Sequence, residues 1–275
     1  MPRFSANLHY LFTEVPFMGR FEAAAKAGFQ AVEFQVPYDY PAQELYSRLR
    51  AHDLKMVLFD APMGNWEEGD RGLAALPGRQ SEFRESLERT VEYGTALECP
   101  TVHVMAGVVG AGHAYEEARH VYVENLRHAA AYLGEHGLTA VIEPINHRMG
   151  LVQGGPDYTT QGMHGYFLNH TVQARAVVEE VASDNLFLHL DCYHMQMLEG
   201  NLAQTIRENI GLVRHFQIAG VPGRHEPDDG EINYPFLFEL IDSLNYSGWV
   251  GCEYRPRHST LEGLGWAAPF GIGAH

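Results

Sequence analysis

The sequence predicts an α/β fold: a single (β/α)8 barrel, with a parallel eight-stranded barrel inside and helices outside. Two observations lead to this prediction. Short apolar segments with strand character alternate eight times with longer segments of helical spacing. Strict alternation implies parallel strands joined by right-handed crossovers. Eight such units within 275 residues match a closed TIM barrel better than an open sheet.

The predicted elements follow one another in regular order. Predicted strands cover residues 3–8, 31–34, 55–59, 101–105, 139–142, 186–191, 214–218 and 249–252. Predicted helices cover residues 17–28, 42–52, 79–97, 116–136, 171–182, 203–212 and 234–244, and a short helix begins near residue 260. The chain contains no linker and no internal repeat beyond this unit, so residues 1–275 are expected to form one domain.

An open dinucleotide-binding sheet is the main alternative fold. Such a sheet carries a Gly-x-Gly-x-x-Gly turn after its first strand, and the turn after residues 3–8 has none. The sequence therefore predicts no nucleotide cofactor.

Charge and composition exclude further classes of protein. A formal net charge of −16 argues against a nucleic-acid partner, because binding to a phosphate backbone needs a basic surface. We expect no export signal and no membrane partner, because no segment approaches the ~20 apolar residues of a membrane span. The three separated cysteines, Cys99, Cys192 and Cys252, suit buried reduced thiols in a cytoplasmic protein.

Oxygen-bearing side chains end four successive strands, at Glu143, Asp191, Gln217 and Glu253. Because the carboxyl ends of barrel strands share one mouth, these residues are expected around half of its rim. Three carboxylates at this spacing repel one another unless a cation lies among them. Oxygen ligands alone, including an amide, suit Mg²⁺ or Mn²⁺ better than zinc. The alternative is that each is an ordinary rim residue held by hydrogen bonds.

Residues near these strand ends are candidates for substrate binding. Arg224 and Glu226 lie in a loop shortly after Gln217, and a guanidinium binds a carboxylate in a bidentate manner. His194 follows Asp191 closely and is placed to hydrogen-bond a substrate oxygen. A surface salt bridge for the arginine and a structural role for the histidine are the alternatives.

A long glycine-rich loop after the third predicted strand, residues 60–78, carries a further candidate. Its length and its Trp66 predict a lid over the mouth, and Arg71 is a second cation for an anionic substrate. Glu33 and Asn7 also lie near strand ends, where we interpret them as polar lining of the barrel.

Seven segments, spread in order over nearly the whole chain, match one family. They are Arg3-Phe-Ser-Ala-Asn-Leu, Gly72-Leu-Ala-Ala-Leu-Pro-Gly-Arg, Ile142-Glu-Pro-Ile-Asn, Asp191-Cys-Tyr-His-Met-Gln, Gln217-Ile-Ala-Gly-Val-Pro-Gly-Arg-His-Glu-Pro, Gly230-Glu-Ile-Asn-Tyr-Pro and Gly251-Cys-Glu-Tyr-Arg-Pro. In these segments the chain resembles the hydroxypyruvate isomerase family, within the xylose-isomerase-like TIM-barrel superfamily of sugar isomerases and epimerases.

The resemblance implies roles for the four strand-end residues. It implies that Glu143 and Glu253 are the catalytic acid/base pair and also ligands of a divalent metal, with Asp191 and Gln217 completing the metal sphere. The implied activity is an aldose–ketose type isomerisation of hydroxypyruvate to tartronate semialdehyde, or of a closely related small 2-keto or hydroxy acid. A proton would move through a metal-stabilised enediolate. The expected partner is a small anionic sugar acid, and other barrels of this kind suggest a homo-oligomer.

The chain departs from the superfamily pattern in two places. Gln217 stands where sugar epimerases of the superfamily usually carry a histidine, which favours the hydroxypyruvate isomerase branch over epimerase substrates. The glycine-rich segment 148–165 is longer than the corresponding family loop, and we expect this insertion at the mouth. Alternatives on the same scaffold are a ketose 3-epimerase, a 2-oxo-tetronate isomerase and a sugar dehydratase. A DNA endonuclease and a catalytically inactive binding barrel are rivals from other classes.

Overall fold

A computed structural model describes residues 1–110, 112–148 and 163–273, and within them nine strand segments form one parallel sheet. The segments are β1 (Arg3–Asn7), β2 (Ala31–Glu33), β3 (Lys55–Met56), β4 (Phe59–Asp60), β5 (Thr101–His103), β6 (Thr139–Ile142), β7 (Leu186–Asp191), β8 (Val213–Ile218) and β9 (Trp249–Cys252). Their spatial order is β3-β2-β1-β9-β8-β7-β6-β5-β4.

The two ends of this order belong to one barrel strand. Between β3 and β4 only Val57 and Leu58 intervene, and the Val57 amide still donates to Val32 of β2 at 3.0 Å. On the other side, the Ala61 amide just after β4 donates to His103 of β5 at 2.9 Å. The sheet therefore closes on itself, and the predicted parallel eight-stranded barrel is confirmed, with its third strand in two pieces.

Helices surround the barrel in the predicted alternation. They are α1 (Phe17–Lys26), α2 (Ala42–Ala51), α3 (Gln80–Ala96), α4 (Tyr115–Glu135), α5 (Thr171–Val181), α6 (Cys192–Leu198), α7 (Leu202–Asn209) and α8 (Tyr234–Ser243), with 3-10 turns at Trp66–Glu68, Ile210–Leu212 and Glu262–Phe270. On α4, buried residues recur every three or four positions, as at Ala118, Tyr122 and Leu126, which presents one apolar face to the core. No helix in the described ranges has both the length and the apolar content needed to cross a membrane.

The helix α6 was not predicted. It begins directly after β7, and Asp191 caps it, because the Asp191 Oδ1 accepts a hydrogen bond from the Tyr193 amide at 2.8 Å. Its first four residues are all buried, so it lacks the mixed apolar and polar spacing of a surface helix.

Polar and apolar side chains alternate along the barrel strands. On β8, Phe216 belongs to the hydrophobic core, whereas His215 and Gln217 both contact Glu33 of β2. Since β9 and β1 lie between β8 and β2 in the sheet, these side chains meet across the barrel interior. The period of two along a strand thus separates an apolar face toward the helices from a polar face toward the lumen.

The predicted insertion at 148–165 lies largely outside the described residues, which exclude 149–162. A backbone hydrogen bond connects the described residues before and after 149–162: the Met163 amide donates to the Asn146 carbonyl at 2.8 Å.

A glycine fixes the long loop after β4 against the end of β5. Gly72 pairs with Ala106, has a φ of 113°, and would place a Cβ 2.4 Å from the Met105 carbonyl oxygen. Gly78 also has a positive φ, of 83°, but a Cβ there would meet no atom within 4 Å.

We therefore expect Gly72→Ala to lower the thermal unfolding midpoint clearly more than the matched control Gly78→Ala. The control carries only the cost of a left-handed backbone, about 1–2 kcal/mol, whereas Gly72→Ala adds a backbone clash. Circular dichroism melts of both variants measure this difference. Equal midpoints would mean that the loop is not held at Gly72.

Candidate active site

A cavity opens at the carboxyl ends of the barrel strands. Glu143 after β6, Gln217 on β8 and Glu253 after β9 line one part of it, and Asn7 and Glu33 from β1 and β2 line another. Apolar side chains complete the wall, among them Phe34, Met63, Trp66, Met105 and Met163. The site therefore combines polar and apolar walls, and the long loop after β4 contributes Met63 and Trp66 to it.

The structure brings the four predicted strand-end residues together. Asp191 and Gln217 are paired neighbours on β7 and β8, and the Glu253 amide donates to Ile218 at the end of β8 at 3.2 Å. Carboxylate oxygens of Glu143 and Asp191 that could bind a metal lie within 4.8 Å of each other. Each of the four side chains is buried, and the Asp191 carboxylate lies behind the cavity lining.

Arg224 is the cation of this cluster. Its Nη2 donates to the Glu253 Oε1 at 2.5 Å and to the Asp191 Oδ2 at 3.3 Å, and its guanidinium lies over the rings of Tyr10 and Tyr193. Among the described residues that line the cavity, Arg224 is the only lysine or arginine. An anionic substrate entering the cavity would therefore meet a guanidinium that already pairs with two carboxylates.

The carboxyl groups of this cluster are hard to ionise in the absence of further positive charge. Burial, with the nearby Asp191 and Glu253, raises the pKa of Glu143 well above its usual value. Burial raises the pKa of Glu253 to about 8, and that of Asp191 to about 6, although Arg224 opposes both shifts. Folding raises these pKa values, so the carboxyl groups ionise more readily in the unfolded chain than in the folded protein. The free energy of unfolding therefore falls as the pH rises through this range.

His194 presents a hydrogen-bond donor to the cluster. Its Nδ1 accepts from the Asn146 Nδ2 at 2.7 Å, and the Asn146 Oδ1 in turn accepts from the Arg148 amide at 3.0 Å, which fixes the amide orientation. Burial, together with Arg224, lowers the pKa of His194 well below its usual value, so the ring is neutral. The remaining proton is therefore on Nε2, which lies 3.6 Å from the Asp191 Oδ2.

Glu253 is held by neutral amides as well as by Arg224. The Asn7 Nδ2 donates to its Oε2 at 3.0 Å, and the Gln35 Nε2 donates to the same oxygen at 2.9 Å. Neither Gln35 nor Asn146 is among the site residues that the sequence predicts. Gln35 follows the end of β2 by two residues and Asn146 follows the end of β6 by four, and this position is the signal that could have indicated them.

A second group of possible ligands lies beside the first. The ring nitrogens of His103 and His189 lie 3.7 and 3.6 Å from the Glu143 Oε2, and the His103 Nδ1 also lies 3.2 Å from Asp60. The groups His103–Glu143–His189 and Glu143–Asp191–His194 each bring three potential metal ligands together, and they share Glu143.

Two of the predicted substrate-binding residues lie away from the cavity. Glu226 is buried against Arg257, whose amide and Nε both donate to its carboxylate at 2.9 Å, and it does not line the cavity. Arg71 lies behind the wall, stacked 3.6 Å from the ring of Trp66 and donating to the Trp66 carbonyl. The structure thus brings His194 and Arg224 to the predicted site, and leaves Glu226 and Arg71 outside it.

The donor set fits a divalent cation. Three buried carboxylates lie together and the Arg224 guanidinium pairs with two of them, which leaves an excess of negative charge that a cation at this point would neutralise. Buried carboxylate and amide oxygens are ligands that hard divalent ions accept. Among the described residues, Glu143, Asp191 and His194 bring potential ligand atoms within 4.8 Å of one another, and Gln217 and Glu253 lie on the neighbouring strand ends.

A closed parallel barrel whose carboxyl-end cavity carries clustered carboxylates is the architecture of a TIM-barrel enzyme. The family model "Xylose isomerase-like TIM barrel" matches residues 21–270. The chain belongs to this family, as its motifs predicted.

Named relatives cover almost the whole chain. A 2-oxo-tetronate isomerase from Cupriavidus necator is 47% identical over 98% of this chain and 99% of its own length. A hydroxypyruvate isomerase from Escherichia coli is 42% identical over 98% of this chain and 100% of its own length. A crystal structure from Brucella melitensis, titled AP endonuclease, family 2, shares 44% identity at a TM-score of 0.92 and covers 98% of this chain and 99% of that one. The named isomerases confirm the prediction of an enzyme of the isomerase class.

A divalent cation should stabilise the folded protein, because it would neutralise carboxylates that burial leaves short of positive charge. After treatment with EDTA, adding Mn²⁺ or Mg²⁺ at ~100-fold excess over its Kd should raise the unfolding midpoint by roughly 5 °C or more. Differential scanning fluorimetry measures the shift, with NaCl at matched ionic strength as the control for screening. A shift no larger than that with NaCl would contradict a cation site here.

Proposed function

We propose that the chain is a metal-dependent isomerase that interconverts hydroxypyruvate and tartronate semialdehyde by proton transfer between adjacent carbons. The observation that carries the proposal is the grouping of Glu143, Gln217 and Glu253 in the wall of one cavity, with Asp191 beside them behind that wall. The full-length similarity to a hydroxypyruvate isomerase supports this choice of substrate.

The reaction requires only that protons move within one small acid. A proton leaves the carbon next to the carbonyl and a proton is returned to the carbonyl carbon, while the hydroxyl proton passes from one oxygen to the other. Positioned carboxylates suit both carbon steps, and we assign them to Glu143 and Glu253. Burial raises the pKa of both carboxyl groups in the metal-free protein.

His194 and Arg224 assist by hydrogen bonding and charge. The Nε2–H of His194 is available to donate to a substrate oxygen as charge develops on it. Arg224 lines the cavity and supplies the positive charge that an anionic acid needs. The apolar wall that includes Trp66 and Met63 would limit water around the reacting carbons.

The proposed cofactor is Mg²⁺ or Mn²⁺, held by Glu143, Asp191, Gln217 and Glu253. When bound, such an ion supplies Lewis-acid polarisation of the substrate oxygens.

Glu143→Gln and Glu253→Gln should each lower kcat by about 10²- to 10⁴-fold, because each removes a group that transfers a proton. Glu179→Gln, an exposed carboxylate on α5, is the matched control and should keep full activity. The measurement is the rate of isomerisation, together with exchange of the substrate's carbon-bound protons in D₂O by NMR. Folded variants with wild-type kcat would rule out the acid/base assignment.

A second candidate substrate is the four-carbon 2-oxo-tetronate. The similarity to the Cupriavidus necator relative, at 47% identity, favours it. The chemistry is the same, and the substrate is longer by one hydroxymethyl carbon. A ketose 3-epimerase and a sugar dehydratase also remain alternatives on this scaffold.

The ratio of kcat/KM values for hydroxypyruvate and 2-oxo-tetronate separates the two candidates, and we expect it to favour hydroxypyruvate. One methylene-sized difference is worth about 10- to 200-fold in such a ratio, so the assay resolves it. A ratio that favours the four-carbon acid would assign the second substrate, and a product lighter by one water would indicate a dehydratase.

Nuclease activity is disfavoured by charge. The net charge is −16, and the described lining of the cavity carries one arginine beside several carboxylates. A phosphate backbone would be repelled from such a mouth. We therefore propose a small anionic sugar acid as the partner. The absence of nucleic-acid and membrane partners, the cytoplasmic location, the single domain and the homo-oligomer stay predictions.

A further inference from the structure

We propose that Glu33 is a positioning residue that fixes the amide of Gln217, so that the amide offers its carbonyl oxygen to the cation. The inference rests on the proposed function, because it concerns one member of the proposed ligand set. The family resemblance assigned Glu33 no role, and the sequence indicated only a polar barrel lining.

The contact between the two residues is direct and buried. The Gln217 Nε2 donates to the Glu33 Oε1 at 2.7 Å, and both side chains are almost fully buried. An ionised carboxylate can only accept hydrogen bonds, so the amide must turn its NH₂ group toward Glu33. The carbonyl oxygen of Gln217, which lines the cavity, is then turned away from Glu33.

Other side chains hold Glu33 itself in place. The Ser5 hydroxyl donates to its Oε2 at 2.7 Å, and the His215 Nε2 lies 2.8 Å from the same oxygen. The Asn7 Nδ2 lies 3.3 Å from Oε1, and the same nitrogen donates to Glu253. Glu33 is therefore an anion with several donors around it. Asn7 contacts both Glu33 and Glu253, so it links Glu33 to a second proposed metal ligand.

The neighbouring strand leaves room for this carboxylate. Glu33 on β2 reaches β8 by passing over Gly251 of β9, where a Cβ would lie 2.2 Å from the Glu33 Oε1. Any larger residue at position 251 would displace the carboxylate from Gln217. Gly251 is thus required by the close approach of the Glu33 side chain and not by a turn of the backbone.

A glutamine without this support offers its oxygen or its nitrogen equally well, and only the oxygen binds a cation. Residues that orient a metal ligand in this way typically change metal affinity by about 10- to 100-fold when they are replaced. We therefore expect Glu33→Gln to weaken Mn²⁺ binding by about that factor, because an amide at position 33 can donate as well as accept.

The test measures the Kd for Mn²⁺ by isothermal titration calorimetry on metal-depleted protein. The matched control is Ser5→Ala, which removes one hydrogen bond to the Oε2 of Glu33 and leaves the Oε1 contact with Gln217. We expect Ser5→Ala to bind Mn²⁺ nearly as wild type does.

Equal Mn²⁺ affinities for Glu33→Gln and Ser5→Ala would overturn the role of Glu33 and leave the proposed function standing. A wild-type protein that binds no Mn²⁺ would overturn the cation site, and this inference with it. Should Glu33→Gln fail to fold, Gly251→Ala displaces the same carboxylate without changing its charge. Unchanged Mn²⁺ affinity in Gly251→Ala would then refute the proposal.

Discussion

The structure depends on an imbalance of buried charge at the carboxyl end of the barrel. The carboxylates of Glu143, Asp191 and Glu253 converge there, and the one guanidinium in the described cavity lining, that of Arg224, pairs with Asp191 and Glu253. Buried carboxylates in such a number are costly unless positive charge is near. The raised pKa values of all three express that cost. A cation at this point would offset it, and the same cation would serve the chemistry.

Side chains around the cluster orient its members rather than balance their charge. Asn146 fixes the tautomer of His194, Glu33 faces the amide of Gln217, and Gln35 holds one oxygen of Glu253. In each contact an amide NH₂ group faces an acceptor atom of its partner. The orientations of the side chains in the cluster are thereby defined. The site is therefore shaped before any substrate enters it.

The fold and the main site residues follow from local patterns, and the supporting contacts do not. Alternation of strands and helices predicts a closed barrel, and a closed barrel forces the polar strand ends Glu143 and Glu253 to share one mouth. The two pieces of the third strand and the helix after Asp191 depend on tertiary packing, which periodicity does not register. Glu226 lies in a mouth loop yet turns toward Arg257, because a loop position does not determine which way a side chain points.

We propose that Glu143, Asp191, Gln217 and Glu253 hold one cation together. The most direct measurement is anomalous diffraction at the manganese edge from crystals grown with Mn²⁺. We expect one strong anomalous peak in contact with all four side chains. A peak between His103 and His189 alone, or no peak at the carboxyl end of the barrel, would contradict it.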